Sequence, residues 1–309
     1  NPFNDLKVCF SLYKVFKTIK PDIVLNFTVK PNIYSSIISK ILKIPSINNI
    51  TGLGTVFIKK SLITKVVKLL YKVSLYCSDF IFFQNSDDQQ LFVNLNLLSL
   101  KKSALLPGSG VDTKKFSHQG RKNWSTFRFL MVARLIKDKG VYEFIEAAKL
   151  LKDDTIEFWI LGERGVLNKT ALGEDEITNL SKQKVVNFFD KTDDVKSFLD
   201  RVDCVVLPSY REGSPRCIME ASSVELPVIV SDVPGCRQVV DNNVTGLYCR
   251  ARDTQDLLIK MKSILKMTTN ERKRMGQKGR KKMVEEYDES IVIESYKQKI
   301  TEIFNQNTL

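Results

Sequence analysis

Short apolar runs recur along the chain, most of them followed by a polar loop and then by a stretch with helical spacing. In the first third they are Asp22–Phe27, Pro45–Ile50, Phe80–Gln84 and Ser103–Leu106. A second set comprises Phe127–Val132, Phe158–Leu161, Val185–Phe188, Cys204–Leu207, Val228–Val230 and Gly246–Tyr248. Each run is the length of a strand and is bounded by turn residues. Helical spacing is predicted over Asp5–Ile19, Asn32–Leu42, Ser61–Cys77, Val141–Leu151, Cys217–Val224, Thr254–Leu265, Asn270–Glu286 and Glu289–Ile303. Parallel neighbours need a long crossover, so this alternation predicts parallel sheets covered on both faces by helices. Residues 117–126 are polar and separate the two series. The expected organisation is an α/β domain over 1–116, a linker at 117–126, a second α/β domain over 127–288 and a last helix at 289–309. No internal repeat of solenoid period interrupts this pattern.

Composition narrows the function classes. A chain of 309 residues with 43% hydrophobic content can bury two cores. No apolar run reaches the ~18 residues a membrane-spanning helix needs. The six cysteines form no Cys-x-x-Cys pair and several lie in strand-like runs, so they read as reduced core residues of a cytoplasmic protein. One histidine, His118, sits in the polar linker, which argues against histidine-rich metal sites and against a Ser-His-Asp hydrolase. The net charge of +13 is unevenly placed. Residues 1–116 hold 16 Lys and no Arg against 6 Asp and no Glu, a surplus of +10. That half is expected to meet an anionic partner: a membrane surface, a phosphorylated acceptor or nucleic acid.

Two stretches carry the chemistry. After the run Cys204–Leu207 the chain reads Ser209-Tyr-Arg-Glu-Gly-Ser-Pro-Arg-Cys-Ile-Met-Glu220, a glycine- and proline-bearing loop leading into a helix. Free backbone N–H groups and the helix dipole there favour an anion. Glu212 and Glu220 flank the place with seven residues between them, and as ionised carboxylates they accept hydrogen bonds from sugar hydroxyls. Two glutamates at this spacing also suit an ordinary strand–helix loop with a helix-terminal charge. After Phe127–Val132 comes Ala133-Arg-Leu-Ile-Lys-Asp-Lys139-Gly140. Arg134 and Lys139 there supply two cations, a bidentate fork and a point charge, able to meet an anion or simply to form a solvated basic loop. Lys137 fits a solvated loop. Leu161-Gly162-Glu163-Arg164-Gly165 is a turn in which glycine would let backbone approach a ligand, or simply turn the chain.

The string Glu212-Gly213-Ser214-Pro215-Arg216 with Glu220-Ala221, followed by Pro227-Val-Ile-Val-Ser-Asp-Val-Pro-Gly235, resembles the Glu-x7-Glu region of retaining glycosyltransferases of the GT-B fold, family 4. The Arg134–Gly140 segment is similar to that family's donor-phosphate clamp, and Pro107–Asp112 with Lys114–Phe116 resembles its interdomain hinge. The resemblance implies two Rossmann-like domains facing a cleft, with the last helix crossing back to the first. It implies retained stereochemistry, no metal and no cofactor beyond a nucleotide-sugar substrate, UDP-linked. Arg134, Lys139 and Glu212 would be catalytic. Glu220 would hold the ribose, Glu212 the donor sugar, and Gly213, Ser214, Pro215 and Gly162 would line the donor site. Phe189-Asp190 departs from the family, which places a glycine before the backbone that meets the base.

In the first domain Thr51, Gly52 and Gly54 stand at a strand end expected to face acceptor or sugar. Many relatives carry a histidine close to Thr51, and none is present here, as in members that extend lipid-linked sugars for capsule, O-antigen or glycoprotein glycans. The expected acceptor is accordingly lipid-linked. Lys65, Lys68 and Lys72 share one side of the Ser61–Cys77 helix, with Leu62, Val66, Leu69 and Val73 adjoining. Either this is a solvated charged face over a core stripe, or a basic amphipathic helix lying on anionic headgroups at the inner face of the cytoplasmic membrane. Family members also carry a strand-helix-strand portion ahead of the first predicted helix, so the first domain is expected to be incomplete at its N-terminus. A GT-B phosphorylase or sugar-nucleotide epimerase shares the architecture. A nucleic-acid-binding protein is disfavoured, since few aromatics interleave the lysines and no helix-turn-helix or zinc pattern occurs.

Overall fold

The computed structural model describes residues 2–52, 62–120, 125–151, 153–165, 168 and 170–307. The chain divides into two compact units, Asn1–Ser109 with Ser290–Leu309, and Gly110–Glu289. The boundary lies earlier than the expected residue 116, because Val111 and Phe116 are buried in the core of the second unit. Of the expected linker, residues 121–124 lie outside the described residues.

The first unit runs α1 (Pro2–Ile19), β1 (Val24–Phe27), α2 (Val29–Ile41), β2 (Ser46–Ile50), α3 (Leu62–Cys77), β3 (Phe80–Phe83), α4 (Ser86–Asn94) and β4 (Ser103–Leu105). Its strands form one parallel sheet in the order β1-β2-β3-β4. Period-2 alternation sends Ile81 and Phe83 to a core with Ile33, Tyr71, Leu75 and Phe92. Ile47, Phe80 and Phe82 go to the opposite face, where they meet Val292, Tyr296 and Ile303 of the chain's last helix. α2 starts earlier than predicted and contains Pro31 in its first turn, where the missing N–H costs no helical bond.

Part of the packing between sheet and α2 is polar. Asn48 is fully buried and all of its amide is used. Its Oδ1 accepts from Asn26 Nδ2 at 2.9 Å and Ser36 Oγ at 2.8 Å. Its Nδ2 donates to Ser78 Oγ at 2.7 Å and the Asn32 carbonyl at 3.1 Å.

The second unit contains β5 (Phe127–Val132), α5 (Val141–Leu150), β6 (Ile156–Gly162), α6 (Glu174–Lys182), β7 (Asn187–Asp190), α7 (Val195–Leu199), β8 (Cys204–Leu207), α8 (Arg216–Ser223), β9 (Val228–Ser231), α9 (Pro234–Val239), β10 (Gly246–Cys249), α10 (Thr254–Lys266) and α11 (Thr269–Glu286). The chain closes with α12 (Glu289–Asn307), whose residues from Ser290 onward belong to the first unit. The sheet of the second unit is parallel in the order β10-β9-β8-β5-β6-β7. The order reverses between β5 and β8, the place where open α/β sheets leave a crevice at their strand C-terminal ends. One core lies on each face. β7 falls two residues beyond the predicted Val185–Phe188, because the ladder pairs Trp159 with Asn187 and continues to Gly162 with Asp190.

Removing the Asn48 amide would strand buried donors and acceptors, each costing about 1–3 kcal/mol. Asn48→Ala should therefore lower the urea midpoint of the first unit's unfolding; an unchanged midpoint would show the polar layer to be energetically idle.

Candidate functional site

Arg134, Lys139, Glu212, Ser214 and Pro215 all line a single cavity of about 230 Å3 in the second unit, together with Arg216 and Cys217. The switch in strand order explains the meeting. The loop after β5 carries Arg134 and Lys139, the loop after β8 carries Glu212 to Pro215, and these two strands are neighbours. Lys139 Nζ donates to Glu212 Oε1 at 2.6 Å, with the carboxylate side chain 10% exposed. Arg134 is exposed, with no ion pair among the described residues. The pair leaves the cavity with a surplus cation.

Two close backbone approaches fix the loops. Gly140 has φ +76°, and a Cβ there would stand 2.1 Å from the Pro208 carbonyl oxygen. Gly235, at the start of α9, would place a Cβ 2.3 Å from the Gly213 oxygen and 2.6 Å from that of Glu212. Gly235 was legible only as a loop residue; Val233-Pro234-Gly235 is in fact a helix start, with Pro at the first position. Tyr210 adds a tie: its hydroxyl donates to Glu143 Oε1 of α5 at 2.6 Å, its backbone N–H to the Asp138 carbonyl at 2.9 Å.

The other expected site residues are placed differently. Glu220 is buried on α8 and takes no part in the cavity lining; Arg216 Nε donates to its Oε1 at 2.9 Å. Burial raises the Glu220 carboxyl above its ordinary value, against the pull of Arg216. Gly162 lacks a side chain for a packing reason, since a Cβ would stand 2.0 Å from the Ala133 carbonyl oxygen. Phe189 packs between Trp159 and Phe198 with both ring centroids at 5.1 Å, and Asp190 Oδ1 accepts from Arg164 Nε at 2.7 Å. Burial, with Glu212 adding to it, pushes the Cys217 thiol up to about 12, so at neutral pH it is no thiolate nucleophile. Among the described residues no group of three or more His, Cys, Asp or Glu gathers as a metal site would need.

Thr51 and Gly52 follow β2 in the first unit, at the C-terminal end of the strand, and Gly54 lies outside the described residues. On α3, Lys72 is exposed and Lys68 half-buried; the side chain of Lys65 lies outside the description. Of the apolar positions beside them, the side chain of Leu62 lies outside the description and the other three are not a core stripe. Val66, Leu69 and Val73 face outward with Tyr76, while Tyr71, Ser74 and Leu75 are buried.

Comparison with known proteins settles the family. The profile for "Glycosyl transferases group 1" matches residues 112–282, and that for "Glycosyl transferase 4-like" matches residues 1–85. The chain belongs to the group 1 glycosyltransferases. A Campylobacter jejuni N,N'-diacetylbacillosaminyl-diphospho-undecaprenol alpha-1,3-N-acetylgalactosaminyltransferase is 30% identical over 96% of this chain and 81% of its own length. An Escherichia coli UDP-Gal:alpha-D-GlcNAc-diphosphoundecaprenol alpha-1,3-galactosyltransferase is 27% identical over 82% of this chain and 69% of its own. Among solved structures, sucrose-phosphate synthase from Thermosynechococcus elongatus superposes with a TM-score of 0.82 at 16% identity, covering 97% of this chain and 78% of that one. Anabaena HepE, solved in complex with UDP, gives 0.78 at 15% identity, covering 96% and 82%. These likenesses establish the GT-B fold of the glycosyltransferase, two Rossmann-like domains.

Breaking the Lys139–Glu212 pair should cost stability. Lys139→Met leaves a nearly buried carboxylate uncompensated and should lose about 2 kcal/mol, less than the 3–5 of a fully buried pair. Adding Glu212→Gln should recover part of that loss in denaturant unfolding. A double variant no more stable than the single one would contradict the coupling.

Proposed function

We propose that this glycosyltransferase moves a sugar from a UDP-linked donor onto a sugar carried by a lipid diphosphate, with retention at the anomeric carbon and without a metal ion. The convergence of Arg134, Lys139 and Glu212 on one cavity at the switch point carries this reading. About 230 Å3 is below the roughly 300–1,000 Å3 of a complete small-molecule site, so it suits the diphosphate, with base and sugar extending beyond it. The leaving diphosphate gains negative charge as the bond to the sugar breaks. Two positioned cations offset that charge without reorganising, the service a divalent ion performs elsewhere.

In this reading Glu212, held by Lys139, accepts from the donor sugar hydroxyls and Glu220 accepts from the ribose. With no activated nucleophile among the cavity residues, the acceptor hydroxyl attacks the anomeric carbon on the face the phosphate leaves. The C–O bond to the acceptor forms as the C–O bond to phosphate breaks, and the hydroxyl proton passes to the departing phosphate oxygen. Two relatives named for undecaprenol-diphosphate-linked acceptors support the acceptor class, and we assign Thr51 and Gly52 of the first unit to acceptor contact. No helix among the described residues is long and apolar enough to cross a membrane. The enzyme would meet such an acceptor as a peripheral protein, with the outward apolar stripe and lysines of α3 against an anionic surface.

The test is transfer from UDP-sugars to a short-chain prenyl-diphosphate sugar in the presence of a chelator. Activity lost with the chelator would contradict the metal-free reading, and turnover with inorganic phosphate alone would indicate a phosphorylase. In isothermal titration, Arg134→Ala and Lys139→Ala should each weaken UDP binding tenfold or more, as expected from about 1.5–3 kcal/mol for a charge-assisted hydrogen bond. Uridine binding should stay near wild type, and equal UDP affinity in all three proteins would remove the clamp. Glu220 gives a pH signature. Because its carboxyl titrates above the ordinary 4.5, uridine affinity should begin to fall, as pH is lowered, before that value is reached. Glu220→Gln should flatten the dependence, and a variant that keeps it would place the titrating group elsewhere.

A further inference from the structure

Two cavities adjoin at Lys102 in the first unit. One, of about 680 Å3, is walled by Leu69, Val73 and Tyr76 of α3 and by Leu97 and Leu98 after α4. Its charged lining residues are both cations, Lys72 and Lys102. The volume falls within the range of about 300–1,000 Å3 usual for small-molecule sites. The second cavity, of about 470 Å3, shares Ser99 and Lys102 with the first and is lined also by Lys101 and Lys299. Two carboxylates, Asp79 and Glu302, line it as well, and both are already engaged. Asp79 Oδ2 accepts from the Ser46 N–H at 2.8 Å, and Glu302 is paired with Lys299. Lys101 is exposed, with no ion pair among the described residues. Lys102 Nζ donates to the Leu75 and Tyr76 carbonyls, each at 2.9 Å. That ammonium is partly desolvated, and burial lowers its pKa, so an added anion would stabilise it.

An apolar hollow whose charges are all positive, opening beside one that holds Lys101 and Lys102 and only engaged carboxylates, is complementary to an amphiphile with an anionic head. The helix that walls it supplies the means of reaching one. Val66, Leu69, Val73 and Tyr76 stand outward at i, i+3, i+7 and i+10, and Tyr76 is 81% exposed. The position separates this place from the acceptor end of the unit. Asp79 and Lys102 precede the starts of β3 and β4, whereas Thr51 follows the end of β2, and a five-residue strand spans roughly 16 Å.

We propose that the hollow beside α3 takes one acyl chain of an anionic phospholipid, whose phosphate lies at Lys101 and Lys102. It is a membrane-anchoring lipid site distinct from the acceptor. The proposal rests on the membrane contact assigned to α3 above, and adds to it a saturable site for a single lipid. A bilayer contact made by α3 alone would hold the protein loosely and in many rotations about its axis. A lipid drawn into the hollow fixes one rotation, which keeps the strand ends at a constant height above the surface.

The experiment uses the full chain and two probes, monomeric dihexanoyl phosphatidylglycerol below its micelle concentration, and phosphatidylglycerol vesicles. Val73→Trp and Leu98→Trp fill the hollow while keeping its surface apolar; Lys101→Gln removes a head-group cation. The wild type should bind the monomer saturably, and at least one of the two filled variants, checked for an unchanged circular dichroism spectrum, should bind it tenfold or more weakly. Lys101→Gln should bind it roughly fivefold more weakly, the effect of one lysine at an anionic surface. Dihexanoyl phosphatidylcholine should bind more weakly than the glycerol lipid. Vesicle adsorption should persist in Val73→Trp through Val66, Leu69 and Tyr76. Vesicle adsorption without saturable monomer binding, or undiminished monomer binding in both filled variants, would overturn the lipid site and leave the α3 contact standing. Saturable monomer binding without vesicle adsorption would overturn the α3 contact instead.

Discussion

The chemistry of the second unit depends on how closely two loops approach across the switch between β5 and β8. A side chain at position 140 would strike the Pro208 carbonyl, and one at 235 would strike the backbone of Glu212 and Gly213. With both absent, three segments lock around one small volume, and the Tyr210 hydroxyl and N–H bonds hold them there. Lys139 and Glu212 therefore meet at 2.6 Å, a pairing set by the fold rather than by sequence proximity. In the proposed reading the ion pair would keep Glu212 from repelling a diphosphate, and Arg134, without an ion pair among the described residues, would be the further cation.

The first unit is built on a different compromise. Its sheet meets α2 through Asn26, Asn48, Ser36 and Ser78 as well as through the apolar contacts of Ile33. Each member needs its partners, so the arrangement specifies one register at the expense of hydrophobic burial. On the other face, Tyr296 of α12 packs at a tilt against Phe82 with centroids 4.8 Å apart and accepts from Asn49 Nδ2 at 2.8 Å, one residue before Ile50 closes the strand. The last helix of the chain thereby buttresses the strand end that leads to Thr51 and Gly52. What the unit leaves outside is apolar and basic together, a surface suited to an anionic interface more than to bulk water.

Local signals carried much of this. β5 and β8 stand where their apolar runs predict, and the Arg134–Gly140 and Glu212–Glu220 segments are readable because each is contiguous. The Lys139–Glu212 pair was not, since its members are 73 positions apart and meet only through strand order. α6 went unpredicted because its first turn is Glu174-Asp175-Glu176 and Ile177 alone is buried, leaving no apolar period. α7 and α9 are too short to show one. Alternation of apolar and polar residues marks α3 as amphipathic but cannot say which side faces the sheet. Tyr71, Ser74 and Leu75 took the core, and the more aliphatic stripe turned outward. Glu220 was legible as a carboxylate near the site, whereas its burial, and hence its raised titration, belongs to the packing of α8.

A crystal structure of the enzyme with UDP tests the central claim most directly. The account predicts β-phosphate oxygens within about 3.5 Å of the Arg134 guanidinium and the Lys139 ammonium, with Lys139 still paired to Glu212. A diphosphate bound away from both cations, or one that displaces Glu212 from Lys139, would contradict it.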